Sequence, residues 1–99
     1  MEEKALVFEW DARKATTNQR KHGISFDEAS SVFEDTLAMI FDDLAHSHDE
    51  RRELIVGRSI LGRLLMVGFT ERASGCIRLI SARSATRAEQ RDYEEGTTS

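Results

Sequence analysis

Apolar and polar positions alternate from Ala5 to Trp10, with Leu6, Phe8 and Trp10 on one face, and this pattern predicts a first strand. Asp11 then stands as an N-cap before a polar helix over Ala12–His22, which Gly23 stops. Ser25 and Glu28 have capping-box spacing at the head of a second helix, whose apolar stripe is Phe26, Ala29, Val32 and Phe33. The pattern returns to strand over Leu37–Phe41, and the polar stretch Asp42–Glu50 reads as a loop. Three strands follow in close order, Glu53–Arg58, Arg63–Thr70 and Cys76–Ala82, separated by short turns around Gly62 and Gly75. The middle one is apolar on both faces, with Leu64 and Met66 on one and Leu65, Val67 and Phe69 on the other, so it belongs at the centre of the sheet. A last helix is expected from Thr86, where Glu89 completes another capping box, to near Gly96. Ala85, Ala88 and Tyr93 are nearly all it has to bury.

The predicted order is β-α-α-β-β-β-β-α. Helices grouped before a run of strands point to an α+β fold with a mainly antiparallel sheet and helices packed on it. A chain of 99 residues is long enough for one core and too short for two, so residues 1–96 are read as a single domain with a polar tail at 97–99. Apolar residues at 39% and charged residues at 32% are ordinary for a folded domain. No apolar run approaches the roughly 20 residues of a membrane span, and the acidic start Met1–Lys4 is unlike a signal peptide. The lone Cys76, set inside an apolar alternation, is expected to be a small buried side chain and fits a reducing cytoplasm.

Charge changes the picture. The net value of −4 hides a split: residues 1–50 carry five basic and twelve acidic side chains, while residues 51–91 carry nine arginines against Glu53, Glu71 and Glu89. Every cation of the second stretch is arginine, whose planar fork matches a phosphate. That asymmetry fits a polyanion partner, and it equally fits a segregated, solvated surface.

Acid–base chemistry on a bound phosphate ester needs side chains that move protons and cations that hold the phosphate. Lys21 and His22 are candidates, His22 because imidazole titrates near neutrality. Both also suit the last turn of a helix, where cations meet the negative end of the dipole. Arg63, Arg78 and Arg83 fall in or beside adjacent hairpin strands, with Arg87 and Arg91 just beyond, an arrangement able to cradle phosphates. Glu71 stands among them as a base or as the partner of an arginine. Tyr93 can stack on a base, or it can pin the last helix to the sheet. Asp42, Asp43, His46, His48, Asp49 and Glu50 invite a metal, but no cysteine joins them and the helical zinc spacing is missing. They read as a solvated acidic loop, and no metal or cofactor is expected.

Several of these strings resemble a known family in order and spacing. They are Phe8-Glu-Trp-Asp11, Lys14-Ala, Asn18, Lys21-His-Gly-Ile-Ser-Phe-Asp-Glu28, Val32-Phe-Glu-Asp35 and His48-Asp-Glu-Arg51, then Gly62-Arg63-Leu, Thr70-Glu-Arg72, Ile77-Arg-Leu-Ile-Ser-Ala-Arg83 and Ala85-Thr-Arg-Ala-Glu89 to Tyr93. Together they resemble the BrnT toxins of bacterial type II toxin–antitoxin systems. The resemblance runs from about residue 6 to residue 96. It departs at Ala73-Ser-Gly-Cys76, less polar than the family's turn, and at Met66 and Gly68, where aliphatics are usual. It implies a fold related to the RelE ribonucleases and metal-independent cleavage of RNA in the cytoplasm. On that reading Lys21, His22, Arg63, Glu71 and Arg83 are catalytic, and Arg78, Arg87, Arg91 and Tyr93 contact RNA. It also implies a cognate ribbon-helix-helix antitoxin, BrnA-like, whose complex with the toxin binds operator DNA. The alternative is a module that binds RNA, DNA or protein through an arginine-rich sheet without chemistry.

Overall fold

The structure, a computed structural model, describes residues 5–48 and 50–98, excepting the side chains of 97 and 98. The acidic start Met1–Lys4 and Asp49 of the acidic loop lie outside the described residues. In chain order the elements are β1 (Val7–Glu9), α1 (Ala12–His22), α2 (Phe26–Ser31) with a 3-10 turn over Val32–Glu34, β2 (Met39–Asp42), a 3-10 turn over Leu44–His46, β3 (Glu53–Arg58), β4 (Leu64–Ala73), β5 (Cys76–Ser84) and α3 (Arg87–Thr98). The α+β order is the one the periodicity predicts. The first strand is shorter than its alternation, three residues rather than six, because it pairs only where β5 offers a parallel edge, Val7 to Cys76 through Glu9 to Arg78.

The five strands lie in the order β1-β5-β4-β3-β2, antiparallel except for β1. Central β4 divides its side chains between two different faces. Leu65, Val67 and Phe69 point under α1, α2 and the turn that follows, where they meet Ile24, Phe26, Ala29, Val32, Ile55, Ile77, Leu79 and Ala82 in the main core. Phe8, Trp10 and Phe33 close that core through edge-to-face ring contacts with centroids 5.0–6.0 Å apart. The other face holds only a small cluster of Val56, Met66 and Tyr93, flanked by Met39, Leu54, Leu64 and Ala85. It is covered at one end by α3 and open elsewhere.

Local chemistry sets the ends of the helices. Asp11 caps α1 by accepting from Arg13 and Lys14 N–H, and Gly23, at φ 71°, closes it with N–H to Gln19 C=O. The capping box at Thr86 is complete: Glu89 N–H donates to the Thr86 hydroxyl, and Thr86 N–H donates to the Glu89 carboxylate. At Ser25 only half forms. Glu28 N–H reaches Ser25 Oγ, but the Glu28 side chain turns inward to Ser59 and Arg63. The last helix does not stop near Gly96 as its glycine suggests. It runs to Thr98, so two residues of the expected tail are helical. Cys76, expected buried, is half-buried at the start of β5.

Candidate nucleic-acid interface

The open face is shaped by an irregularity in the β4–β5 ladder. Phe69 pairs with Leu79 and Gly68 with Ser81, so Ile80 is an extra residue on β5. Without that bulge, strict alternation would turn Ala82 to the open side. With it, Ala82 stays in the core, and Arg83 faces outward opposite Met66. Gly68 keeps the floor low, since a Cβ there would stand 2.8 Å from Ser81 Oγ.

A groove of about 530 Å³ lies over this floor. Its base is Leu54, Met66, Gly68 and Ile80, and its polar walls are Lys21, His22, Asp43, His46, Arg52 and Arg83. Lys21 and His22 reach it because Asn18 clamps α1 to β5. The buried Asn18 amide donates to Ala82 C=O at 2.8 Å and to Ile24 C=O at 3.0 Å, and it accepts from Ala82 N–H at 3.0 Å. Lys21 and His22 follow Asn18 by three and four residues, so all three share one side of the helix. On the far side of β4, Ser47 ties up the loop between β2 and β3. Its hydroxyl bonds Asp43 C=O and accepts from Arg52 N–H, which fixes Asp43 and Arg52 at the wall. His46 Nδ1 lies 3.0–3.1 Å from both oxygens of Asp43. Arg52 Nε is buried without a hydrogen-bond partner among the described residues.

Arg83 holds a bidentate pair with Glu89 of α3, at 2.7 and 2.8 Å. That arginine, aided by Thr86 N–H, draws the Glu89 carboxyl down to about 2 against burial. Among the described residues the groove thus gathers five basic side chains on its wall against one acid, Asp43, with Glu89 behind Arg83.

The other sequence candidates lie elsewhere. Arg63 folds toward the helix side, where its Nε donates to Glu28 at 2.9 Å and its Nη2 bonds the second Glu28 oxygen. Glu28 is 5% exposed, and the Arg63 hydrogen bond outweighs burial to hold its carboxyl below the ordinary value. Arg63 and Arg83 therefore do not form one cradle. Arg78 stands 3.8 Å from Glu9 at the β1 edge. Glu71 is exposed near the β4–β5 turn, outside the groove, and accepts from Gly75 N–H. Arg87 and Arg91 are exposed on α3, outside the groove.

Tyr93 is 5% exposed, which leaves no ring face for a base to stack on. Its hydroxyl donates to Asp35 at 2.8 Å and Arg58 sits 5.8 Å from its ring centre, contacts that tie α3 to the body of the fold. Sequence reasoning missed Arg52, His46 with Asp43, and the positioning role of Asn18. The signal was present for the loop pair, since Asp43 and His46 have i,i+3 spacing, but the acidic context masked it. Among the described residues, no three His, Cys, Asp or Glu side chains gather into a metal-holding group. No helix is long and apolar enough to cross a membrane.

Residues 10–89 match the family model described as the ribonuclease toxin BrnT of type II toxin–antitoxin systems. The fold is similar to the crystal structure of the Brucella abortus ribonuclease toxin BrnT, with a TM-score of 0.64 and 26% identity over 85% of this chain and 100% of that one. Comparison with curated proteins gives no significant match. The matched span contains every residue that walls the groove, and the chain belongs to the BrnT family of ribonuclease toxins of type II toxin–antitoxin systems.

Proposed function

We propose that the chain is a metal-independent endoribonuclease that inhibits growth by cutting RNA held in the groove on the open sheet face. The carrying observation is the convergence of Lys21, His22, His46, Arg52 and Arg83 from three separate parts of the chain over one apolar floor. RNA lies with a phosphate between Arg52 and Arg83 and a base against Met66 and Ile80. The 2′-oxygen attacks phosphorus as the bond to the 5′-oxygen breaks. His22 removes the 2′-hydroxyl proton, Lys21 and the arginines hold the charge that builds on the phosphate, and an acid protonates the departing 5′-oxygen. The products are a cyclic or 3′-phosphate upstream and a 5′-hydroxyl downstream. Arg63 and Tyr93 support the fold in this reading, and Arg78, Arg87 and Arg91 contribute outlying charge.

The partner is a cognate BrnA-like antitoxin with a ribbon-helix-helix domain. An acidic and apolar segment of it covers the cationic groove in the cytoplasm, and the complex binds operator DNA. Charge complementarity makes that association fast at low salt.

Incubating the purified chain with a long unstructured RNA in excess EDTA tests the reading. Cutting should persist, a DNA copy should survive, and RNA affinity should fall with salt by a slope of about −0.7 per phosphate contact. EDTA-sensitive cutting that leaves 5′-phosphates overturns the mechanism. A mobility shift without cutting would leave a binding module.

A further inference from the structure

Cleavage by 2′-oxygen attack moves two protons, and α1 brings one imidazole to the groove. The second comes from the loop between β2 and β3. An ionised carboxylate only accepts hydrogen bonds, so the 3.0 Å contact from Asp43 obliges His46 Nδ1 to carry the hydrogen. That fixes the tautomer and leaves Nε2 as the nitrogen free for a substrate, the arrangement by which an aspartate orients a catalytic histidine. Asp43 is 16% exposed and itself held by the loop, its N–H donating to Arg52 C=O, whereas His46 is 66% exposed. A fixed carboxylate thus stands behind an accessible ring. Among the described residues Asp43 is the one acid on the groove wall, and its side chain is committed to His46. His48, Glu50 and Arg52 share the outer recess with His46, and of these Arg52 also reaches the groove.

We infer that His46 is a catalytic residue of this chain, the general acid that protonates the 5′-oxygen, with Asp43 as its positioning residue. The inference rests on the proposed RNA cleavage and completes its proton balance. The 2′-hydroxyl proton goes to His22, and an imidazolium at His46, with Asp43 as its counter-charge, gives the Nε2 proton to the oxygen whose bond to phosphorus breaks. Arg52, beside His46, faces the same phosphate. By strand order, His22 at β5 and His46 at the β3 side flank β4, as an in-line attack requires of its base and its acid.

The test uses the full chain and an RNA spanning a mapped cut site, together with a copy carrying sulfur in place of the bridging 5′-oxygen there. A thiolate leaves without a proton. His46→Ala should slow cutting of the normal RNA by roughly a hundredfold or more, with KM little changed and the basic limb of the pH profile lost. It should cut the sulfur-containing RNA at close to the unsubstituted rate. His22→Ala should be slow on both, and Asp43→Asn should resemble His46→Ala with a smaller loss. Equal losses for His46→Ala on the two RNAs, or no loss on either, would overturn the assignment while leaving RNA cleavage standing. Failure of the unsubstituted chain to cut any RNA would remove the cleavage reading itself.

Discussion

Arg63 and Arg83 sit near one end of the β4–β5 ladder, one just before Leu64 and the other opposite Met66, and each grips a glutamate. They face opposite sides of the sheet. On the helix-covered side, Arg63 meets a carboxylate that α2 has drawn into the protein, where Ser59 also donates to it. There the arginine neutralises a charge that burial would otherwise penalise, a role whose removal leaves an unpaired acid inside the fold. On the open side, Arg83 meets Glu89 at the edge of a groove, and the same fork is within reach of anything that enters it. The chemistry of the two pairs is alike, so burial of the acid decides which one supports structure and which one is available for a ligand.

The sharpest way to break this comparison is to exchange the two phenotypes. Arg83→Ala should lower RNA cutting by roughly a hundredfold or more, the loss expected when a donor to a developing phosphate charge is removed. Its thermal midpoint should fall only by the modest share of the screened pair with Glu89. Arg63→Ala should do the reverse, keeping the cutting rate per folded molecule while lowering the midpoint, because Glu28 remains inside without its partner. Cutting assays beside thermal unfolding of the two variants distinguish them. Full activity in Arg83→Ala, or a dead but stable Arg63→Ala, would place the phosphate on the wrong face.

A smaller effect separates the pairs by pH. Glu89 titrates at about 2 in the folded chain against an ordinary 4.5. A depressed carboxyl adds stability that is fully present above the ordinary value and is lost as pH falls from there through the folded value. Stability should therefore decline between about pH 4.5 and pH 2, with Glu28 and Asp35, also held below their ordinary values, contributing in the same direction. Glu89→Gln should flatten part of that slope. At neutral pH it should cost about 1 kcal/mol, because water screens a pair this exposed. Urea unfolding across the acid range checks both statements, and a Glu89→Gln profile parallel to that of the unsubstituted chain would deny the pair any share.

The elements were legible because local signals carry them. Alternation marks β3, β4 and β5, and Asp11, Gly23 and Thr86 mark the helix ends within a residue or two. The groove was less legible. A reader of β5 sees Arg78 and Arg83 and cannot see Ile80 become the extra residue of a bulge, since that depends on Gly68 and Ser81 meeting across the ladder. The direction of Arg63 was hidden for a similar reason: Glu28, 35 residues away, has a capping role in sequence and a buried ion pair in space. Lys21 and His22 were legible as a pair, whereas the Asn18 clamp that aims them depends on the backbone of Ala82. His46 and Arg52 were lost in a polar loop whose closure depends on the hydroxyl of Ser47. Long-range pairing, invisible to periodicity, accounts for each of these.

The finest comparison concerns α3, which meets the open side through the Glu89 pair with Arg83 and one buried aromatic ring. Burial pushes the Tyr93 hydroxyl above its usual range, and Asp35 adds to that, so it stays a donor at any working pH. Asp35 in turn accepts from Arg58 and Leu37 N–H, which hold its carboxyl low despite burial. Removing only the hydroxyl, as Tyr93→Phe, leaves the ring packed on Val56 and Met66 and leaves Asp35 with two backbone donors. The cost should be about 1 kcal/mol, the net value of one hydrogen bond. RNA cutting and RNA affinity should be unchanged, because a ring this buried touches no base. Affinity measured by titration beside urea unfolding decides the point: a Tyr93→Phe variant of unaltered stability but weakened RNA binding would mean that α3 swings away and offers Tyr93 to the substrate.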